Sequence, residues 1–219
     1  PKDLPVLFMS GAEDPVGGFG KGVEQVRRQF EAAGMQDVTW ILYENDRHEI
    51  LNADKVILPG VGAFGDAMDS LKKYELDKVI HEVCDMDKPF LGICLGLQLL
   101  FEGSDESQGV EGLHVLDGQI LRIPDKEGLK IPHIGWNSLD LQNNGRLFKG
   151  LSEHPYVYFV HSYYLKATDE AIVTATTEYS THIHASVEKN NVFACQFHPE
   201  KSSTVGLSIL KNFAGIGEA

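Results

Sequence analysis

A chain of 219 residues is long enough to bury one sizeable core, and a single domain over residues 1–219 is the simplest count. Its formal net charge of −13 at pH 7 argues against nucleic acid or an anionic membrane surface as the main partner, and no apolar run approaches transmembrane length. Three cysteines without paired spacing point to a reducing compartment, the cytoplasm, and the opening Pro1-Lys-Asp-Leu-Pro5 lacks a signal-peptide pattern.

Val6–Ser10 is an apolar run that ends in Gly-Ala-Glu-Asp-Pro, a strand followed by a loop. Val23, Val26, Phe30 and Ala33 fall at helical spacing and predict an amphipathic helix over about 19–33, stopped by Gly34. Strands follow at Val38–Tyr43 and Lys55–Leu58, the second running into the turn Pro59-Gly-Val-Gly62. Helices are predicted over about 63–71 and 76–84, a strand at Phe90–Ile93, and a helix over 95–101. Alternation of this kind implies a largely parallel sheet covered on both faces, an α/β three-layer sandwich. After about Gly103 the runs shorten: 113–123, 131–141, 156–166, 172–178, 184–189 and 192–197 read as strands, several of them antiparallel. A last helix over about 205–214 packs back on the sheet.

The most informative stretch is Phe90-Leu-Gly-Ile-Cys94-Leu-Gly96-Leu-Gln98. A cysteine held between glycines, after an apolar strand and before an apolar helix, sits on a tight turn that pushes it out of the backbone. The amide of Leu95 is then free to face an oxyanion, and the helix N-terminus adds partial positive charge. A lone cysteine in an apolar run is more commonly a core residue. His198-Pro199-Glu200 near the C-terminus changes that balance, because Cys94, His198 as base and Glu200 as orienting carboxylate make the set that thiol acyl transfer needs. Glu200 projects to the side of His198 if the strand stays extended. A second oxyanion donor is expected from the glycine turn, at Val61 or Gly62.

With these residues in view, the chain from about Ala53 to Gly215 resembles the class I glutamine amidotransferases, and within them the glutaminase subunits of imidazole glycerol phosphate synthases of histidine biosynthesis. The stretches that carry the resemblance are residues 58–68 (Leu-Pro-Gly-Val-Gly-Ala-Phe-Gly-Asp-Ala-Met), the Cys94 elbow, Ile131-Pro-His-Ile-Gly-Trp-Asn137, Tyr158-Phe-Val-His-Ser-Tyr-Tyr164 and Gln196-Phe-His-Pro-Glu-Lys-Ser-Ser203. The resemblance implies a sandwich with a flavodoxin-like core and hydrolysis of glutamine to glutamate and ammonia through a thioester on Cys94. It implies that Gln98, Glu106, Ser162 and Tyr163 hold the amino-acid end of the substrate. It also implies that Trp136, Tyr158 and Lys201 face a (βα)8-barrel synthase subunit that receives the ammonia. On the residues alone, Glu106 is a solvated loop acid, the two aromatics are core, and Lys201 is a surface charge. No metal and no organic cofactor is expected.

Residues from about Leu4 to Asn52 resemble instead the C-terminal part of α/β-hydrolases of the monoacylglycerol-lipase or lysophospholipase type. Ser10-Gly-Ala-Glu-Asp14-Pro-Val-Gly17 and Tyr43-Glu-Asn-Asp-Arg-His48 carry this likeness. Asp14 and His48 match the acid and base of a Ser-His-Asp triad whose Gly-x-Ser-x-Gly nucleophile does not occur here, so they read as relics. The expectation is a recombined, engineered chimera joined near Asn52. Its leading function is a glutamine amidohydrolase half; a catalytically silent scaffold and a serine-hydrolase-like esterase are the alternatives. His182 and His184, Cys84, Cys195 and the loop Gly17–Gly22 are assigned no chemistry, the histidines as surface groups and Cys195 as packing.

Overall fold

The computed structural model describes residues 6–11, 27–28, 38–43 and 53–217. Strands β1 (Val6–Gly11) and β2 (Val38–Tyr43) pair in parallel, Val6 opposite Val38. Of the helix expected between them, Arg27 and Arg28 are described and are helical. Asp14 and His48 lie outside the described residues.

From β3 (Val56–Gly60) the chain passes through helices α1 (Phe64–Lys73) and α2 (Leu76–Asp85) to β4 (Phe90–Cys94) and the short α3 (Leu95–Leu99). Strands then dominate: β5 (Gly103–Ser104), β6 (Gly118–Arg122), β7 (His133–Ser138), β8 (Asp140–Leu141), β9 (Tyr156–His161), β10 (Tyr163–Ala167), β11 (Val173–Tyr179), β12 (Thr181–Lys189) and β13 (Val192–Cys195). Helix α4 (Ser203–Ala214) closes the described chain.

The main sheet runs β3-β4-β13-β12-β10-β6-β5, with β11 on β12 and β8 on β11. Its β3-β4-β13 end is parallel and the β13-β12, β12-β10 and β10-β6 pairs are antiparallel. The α/β sandwich is therefore mixed: several of the strands after Gly103 pair antiparallel, as the short runs predicted, while β13 joins β4 and β5 joins β6 in parallel. Strands β7 and β9 form a separate antiparallel ribbon.

Period-two alternation on the central strands feeds two cores, one on each face of the sheet. Val56, Phe90 and Val192 join Phe64, Met68, Val83 and Phe101 on one side. Ile57, Leu91, Phe193 and Cys195 join Phe159, Phe197 and Phe213 on the other. Helix α1 buries Phe64, Ala67, Met68 and Leu71, a helical stripe, and β4 is buried at every position, as a strand covered on both faces requires. Each buried Phe or Leu stabilises the fold by roughly 1.5–3 kcal/mol relative to exposure.

Candidate active site

Strand β4 delivers Cys94 to its C-terminal end, and α3 begins at the next residue. Cys94 has φ 55 and ψ −110, a conformation that costs a non-glycine residue about 1–3 kcal/mol and persists only when its surroundings impose it. The imposition is visible at Gly96, where an added Cβ would lie 1.9 Å from the Leu58 carbonyl oxygen. Only glycine lets α3 sit this close to β3. The helix is shorter than expected and ends at Leu99.

Register places Gly60 opposite Cys94 across β3 and β4. The turn that leaves Gly60 therefore starts beside Cys94, with Val61 exposed and Gly62 at φ 102, a left-handed value that favours glycine. The exit of this turn is fixed from a distance: Glu106 Oε2 accepts the Phe64 amide at 2.8 Å and Ser107 Oγ accepts the Gly65 amide at 3.0 Å. These side chains cap α1, whose own N-cap residue Ala63 has no side-chain acceptor. Glu106 is half-buried rather than a solvated loop acid.

His198 follows β13, the strand that lies beside β4 and parallel to it. Its amide donates to the Tyr158 carbonyl at 2.9 Å, and its Nδ1 lies 2.8 Å from Glu200 Oε1. A carboxylate only accepts, so Nδ1 carries a proton and Nε2 is the nitrogen left for Cys94, whose side chain acts on the ring. The expectation that an extended strand aligns His198 and Glu200 is corrected: β13 stops at Cys195, and a 3-10 turn, Pro199–Lys201, folds Glu200 back onto the ring. Ser202 locks this turn, its Oγ accepting the Tyr158 amide at 2.9 Å and donating to the His198 carbonyl at 2.6 Å.

Burial by itself lowers the affinity of His198 for a proton. Hydrogen bonds to Cys94 and Glu200, with their negative charges, outweigh it and bring the pKa up to about 9. The ring is thus an acid at neutral pH. Cys84 and Cys195 are pushed the other way, Cys84 to about 11 by burial and by Asp85, and Cys195 upward by complete burial. Both stay thiols and pack. Glu200 keeps its other oxygen, Oε2, buried with no hydrogen-bond partner among the described residues.

Gln98 is buried, and its Nε2 donates to the Tyr163 carbonyl at 3.2 Å and to Gln196 Oε1 at 3.0 Å. Only its Oε1 remains for a ligand. Ser162 and Tyr163 form the corner between β9 and β10, just beyond Val160, whose carbonyl is 4.0 Å from Cys94 Sγ. Trp136 and Tyr158 stand opposite each other on the β7–β9 ribbon in edge contact, 6.0 Å between rings. Trp136 is 52% exposed and Lys201 is exposed, which removes Trp136 from the core to which its bare sequence assigned it.

His184 also departs from expectation. His182 is exposed and paired with Glu178, but His184 is buried and its Nδ1 accepts the Ala167 amide at 3.1 Å. Among the described residues no cluster of His, Cys, Asp and Glu is arranged to hold a metal ion, and no helix is long and apolar enough to cross a membrane. Sequence reasoning missed Gln196 and Ser202. Gln196 lies just beyond the end of β13, where strand alternation no longer applies, so its contact with Cys94 had no local signal.

A thiol, an imidazole poised as acid, an orienting carboxylate and a glycine turn that follows the residue paired with Cys94 are parts that acyl transfer uses. The family model for "Glutamine amidotransferase class-I" matches residues 19–215. The match begins inside the stretch expected to be hydrolase-like, so the amidotransferase likeness reaches well upstream of residue 53. A protein of Bacillus cereus named imidazole glycerol phosphate synthase subunit HisH is 51% identical over 202 residues, 92% of this chain and 93% of its own. A protein of the same name from Aquifex aeolicus is 46% identical over 196 residues, 89% of this chain and 92% of its own. Among solved structures, the glutaminase domain of CTPS from Trypanosoma brucei superposes with TM-score 0.64 at 18% identity, over 96% of this chain and 94% of its own. PurLQS from Thermotoga maritima gives TM-score 0.67 at 16% identity, over 95% of this chain and 97% of its own. With the family model spanning most of the polypeptide and relatives near half identity, the chain belongs to the class-I glutamine amidotransferases.

Proposed function

We propose that this chain hydrolyses glutamine to glutamate and ammonia and passes the ammonia to a docked synthase subunit of (βα)8-barrel type; its relatives are named as subunits of imidazole glycerol phosphate synthase. The observation that carries the reading is His198, whose ring is acted on by the Cys94 side chain and has its Nδ1 2.8 Å from Glu200 Oε1.

In this reading Cys94 Sγ, having lost its proton to His198, attacks the side-chain amide carbon of glutamine. The oxyanion is held by the Leu95 amide and by amides of the Val61–Gly62 turn. The C–N bond breaks as His198 Nε2 donates its proton to the departing nitrogen, which leaves as ammonia, and a thioester remains on Cys94. Water then adds to the thioester carbon while Nε2 takes its proton. The C–S bond breaks with its electron pair on sulfur, and glutamate departs.

Gln98 through Oε1, with Ser162 and Tyr163, binds the amino-acid end. Glu106 bridges that end and the turn, since one of its oxygens is already committed to the Phe64 amide. Trp136, Tyr158 and Lys201 receive the synthase subunit. A cytoplasmic location suits a mechanism that needs a free thiol. For residues 1–52 we favour a continuous amidotransferase domain over a hydrolase graft, because the family match begins at residue 19.

The test is glutamate release from glutamine, with and without a barrel synthase subunit. Turnover that rises when the subunit is added and disappears in Cys94→Ala supports the reading. Absence of turnover with the subunit bound favours a silent scaffold.

A further inference from the structure

Behind the nucleophile lie two buried amides, Gln98 at 5% and Gln196 at 0% exposure. Amide orientations are ordinarily ambiguous, but here one atom resolves both. The Tyr163 carbonyl can only accept. Gln98 meets it at 3.2 Å, so the group directed there is Nε2. The same nitrogen lies 3.0 Å from the Gln196 amide and needs an acceptor, which fixes Oε1 of Gln196 toward Gln98. Gln196 Nε2 is left on the opposite side, 3.7 Å from Cys94 Sγ. The Tyr163 carbonyl is itself held by His161 Nδ1 at 2.8 Å.

The groups facing the sulfur divide by the protonation state they favour. The Val160 carbonyl, an acceptor at 4.0 Å, suits the thiol. Cys195, buried close by on β13, stays an uncharged thiol and supplies no charge to either state. His198, backed by Glu200, suits the thiolate, but it gives its proton away during each acylation. Gln196 is a neutral donor and loses nothing in the cycle.

We infer that Gln196 is a further catalytic residue whose Nε2–H hydrogen-bonds the Cys94 thiolate, and that Gln98 and the Tyr163 carbonyl are positioning groups that keep this donor aimed at sulfur. The inference deepens the thioester reading and rests on it. A thioester sulfur is a weak acceptor and a thiolate a strong one, so the bond tightens whenever charge returns to Sγ. It assists the resting enzyme, and it assists again when the C–S bond breaks with its electron pair on sulfur.

Gln196→Met removes the donor while keeping the length and apolar bulk of the side chain. The measurement is iodoacetamide alkylation of Cys94 as a function of pH, read by peptide mass mapping, together with glutaminase kinetics. The midpoint of alkylation is expected to rise by about one pH unit, and kcat to fall roughly tenfold with KM little changed. Gln98→Met, which leaves Gln196 present but free to rotate, is expected to shift the midpoint in the same direction by less. A folded Gln196→Met protein with an unmoved midpoint overturns the inference. If that variant does not fold, an unmoved midpoint in Gln98→Met does so. A shifted midpoint in a chain that makes no glutamate retains the assignment of Gln196 and removes the glutaminase reading, whereas glutamate formation with an unmoved midpoint does the reverse.

Discussion

The Tyr158 carbonyl accepts the His198 amide at 2.9 Å, so the strand whose outer face is Tyr158 also holds the backbone of the acid. Ile134, Trp136 and Tyr156 are each more than half exposed on the same ribbon, an aromatic-rich surface of the kind that concentrates binding energy. Trp136→Ala is expected to weaken the affinity for the synthase subunit by about tenfold or more, as measured by titration calorimetry. Equal affinity would place the docking surface elsewhere.

The alkaline limb of the proposed activity is expected to follow His198. Its folded pKa of about 9 stands above the ordinary value of 6.5, so the charged ring adds stability that is complete below about pH 6.5. That stability is lost as the pH climbs through about 9. Glutamine turnover is expected to fall along the same limb, because the departing nitrogen loses its acid. Glu200→Gln removes a charge that holds the proton on the ring, and a pH–rate profile is expected to show the limb displaced downward by about one unit. A limb that stays in place would assign it to another group.

Acid stability belongs to a different pair. His133 Nδ1 and His161 Nε2 are 3.1 Å apart, and His133 is stacked between Tyr179 at 3.9 Å and Phe159 at 4.8 Å. His161 Nδ1 donates to the Tyr163 carbonyl, so its Nε2 accepts and His133 is the donor. Burial takes His133 down to about 4 and His161 down to about 3. The unfolded chain therefore binds more protons than the folded one between about pH 6.5 and about 4, and stability falls as the pH drops through that window. Urea melts at pH 7 and pH 5 are expected to show the loss, with a shallower pH dependence in His133→Phe, which keeps the stack and removes one titrating ring.

The parts of this arrangement readable in the sequence are those carried by neighbours in the chain. The Gly92–Gly96 elbow, the His198–Glu200 pair and the Pro59–Gly62 turn each fall within a few residues, and local geometry was enough to suggest their roles. What escaped depends on contacts across long separations. Glu106 caps α1 from 42 residues away, and Gln196 meets Cys94 across 102. His184 is buried because β12 lies between neighbours in the sheet, which a His-x-His spacing does not disclose. The expected boundary near residue 53 moved for a related reason: strand and loop signals upstream suit more than one α/β family, and only the longer match separates them.

Gly96 offers a test of the elbow itself. An added Cβ would stand 1.9 Å from the Leu58 carbonyl, a backbone atom that cannot rotate away. Gly96→Ala is expected to destabilise the fold by about 3 kcal/mol, read as a lowered melting temperature. Where α3 moves instead, the Leu95 amide moves with it, and turnover is expected to fall by about 100-fold. A variant with wild-type stability and activity would contradict the packing described for β3 and α3.

The proposed chemistry turns above all on a covalent glutamyl thioester at Cys94. Its most direct test is mass spectrometry of the protein quenched in acid during turnover of glutamine, with the synthase subunit present. The predicted result is a glutamyl adduct confined to the peptide that carries Cys94, absent from Cys94→Ala, with glutamate and ammonia released in equal amounts. Glutamine hydrolysis that continues in Cys94→Ala, or an adduct on another residue, would contradict it.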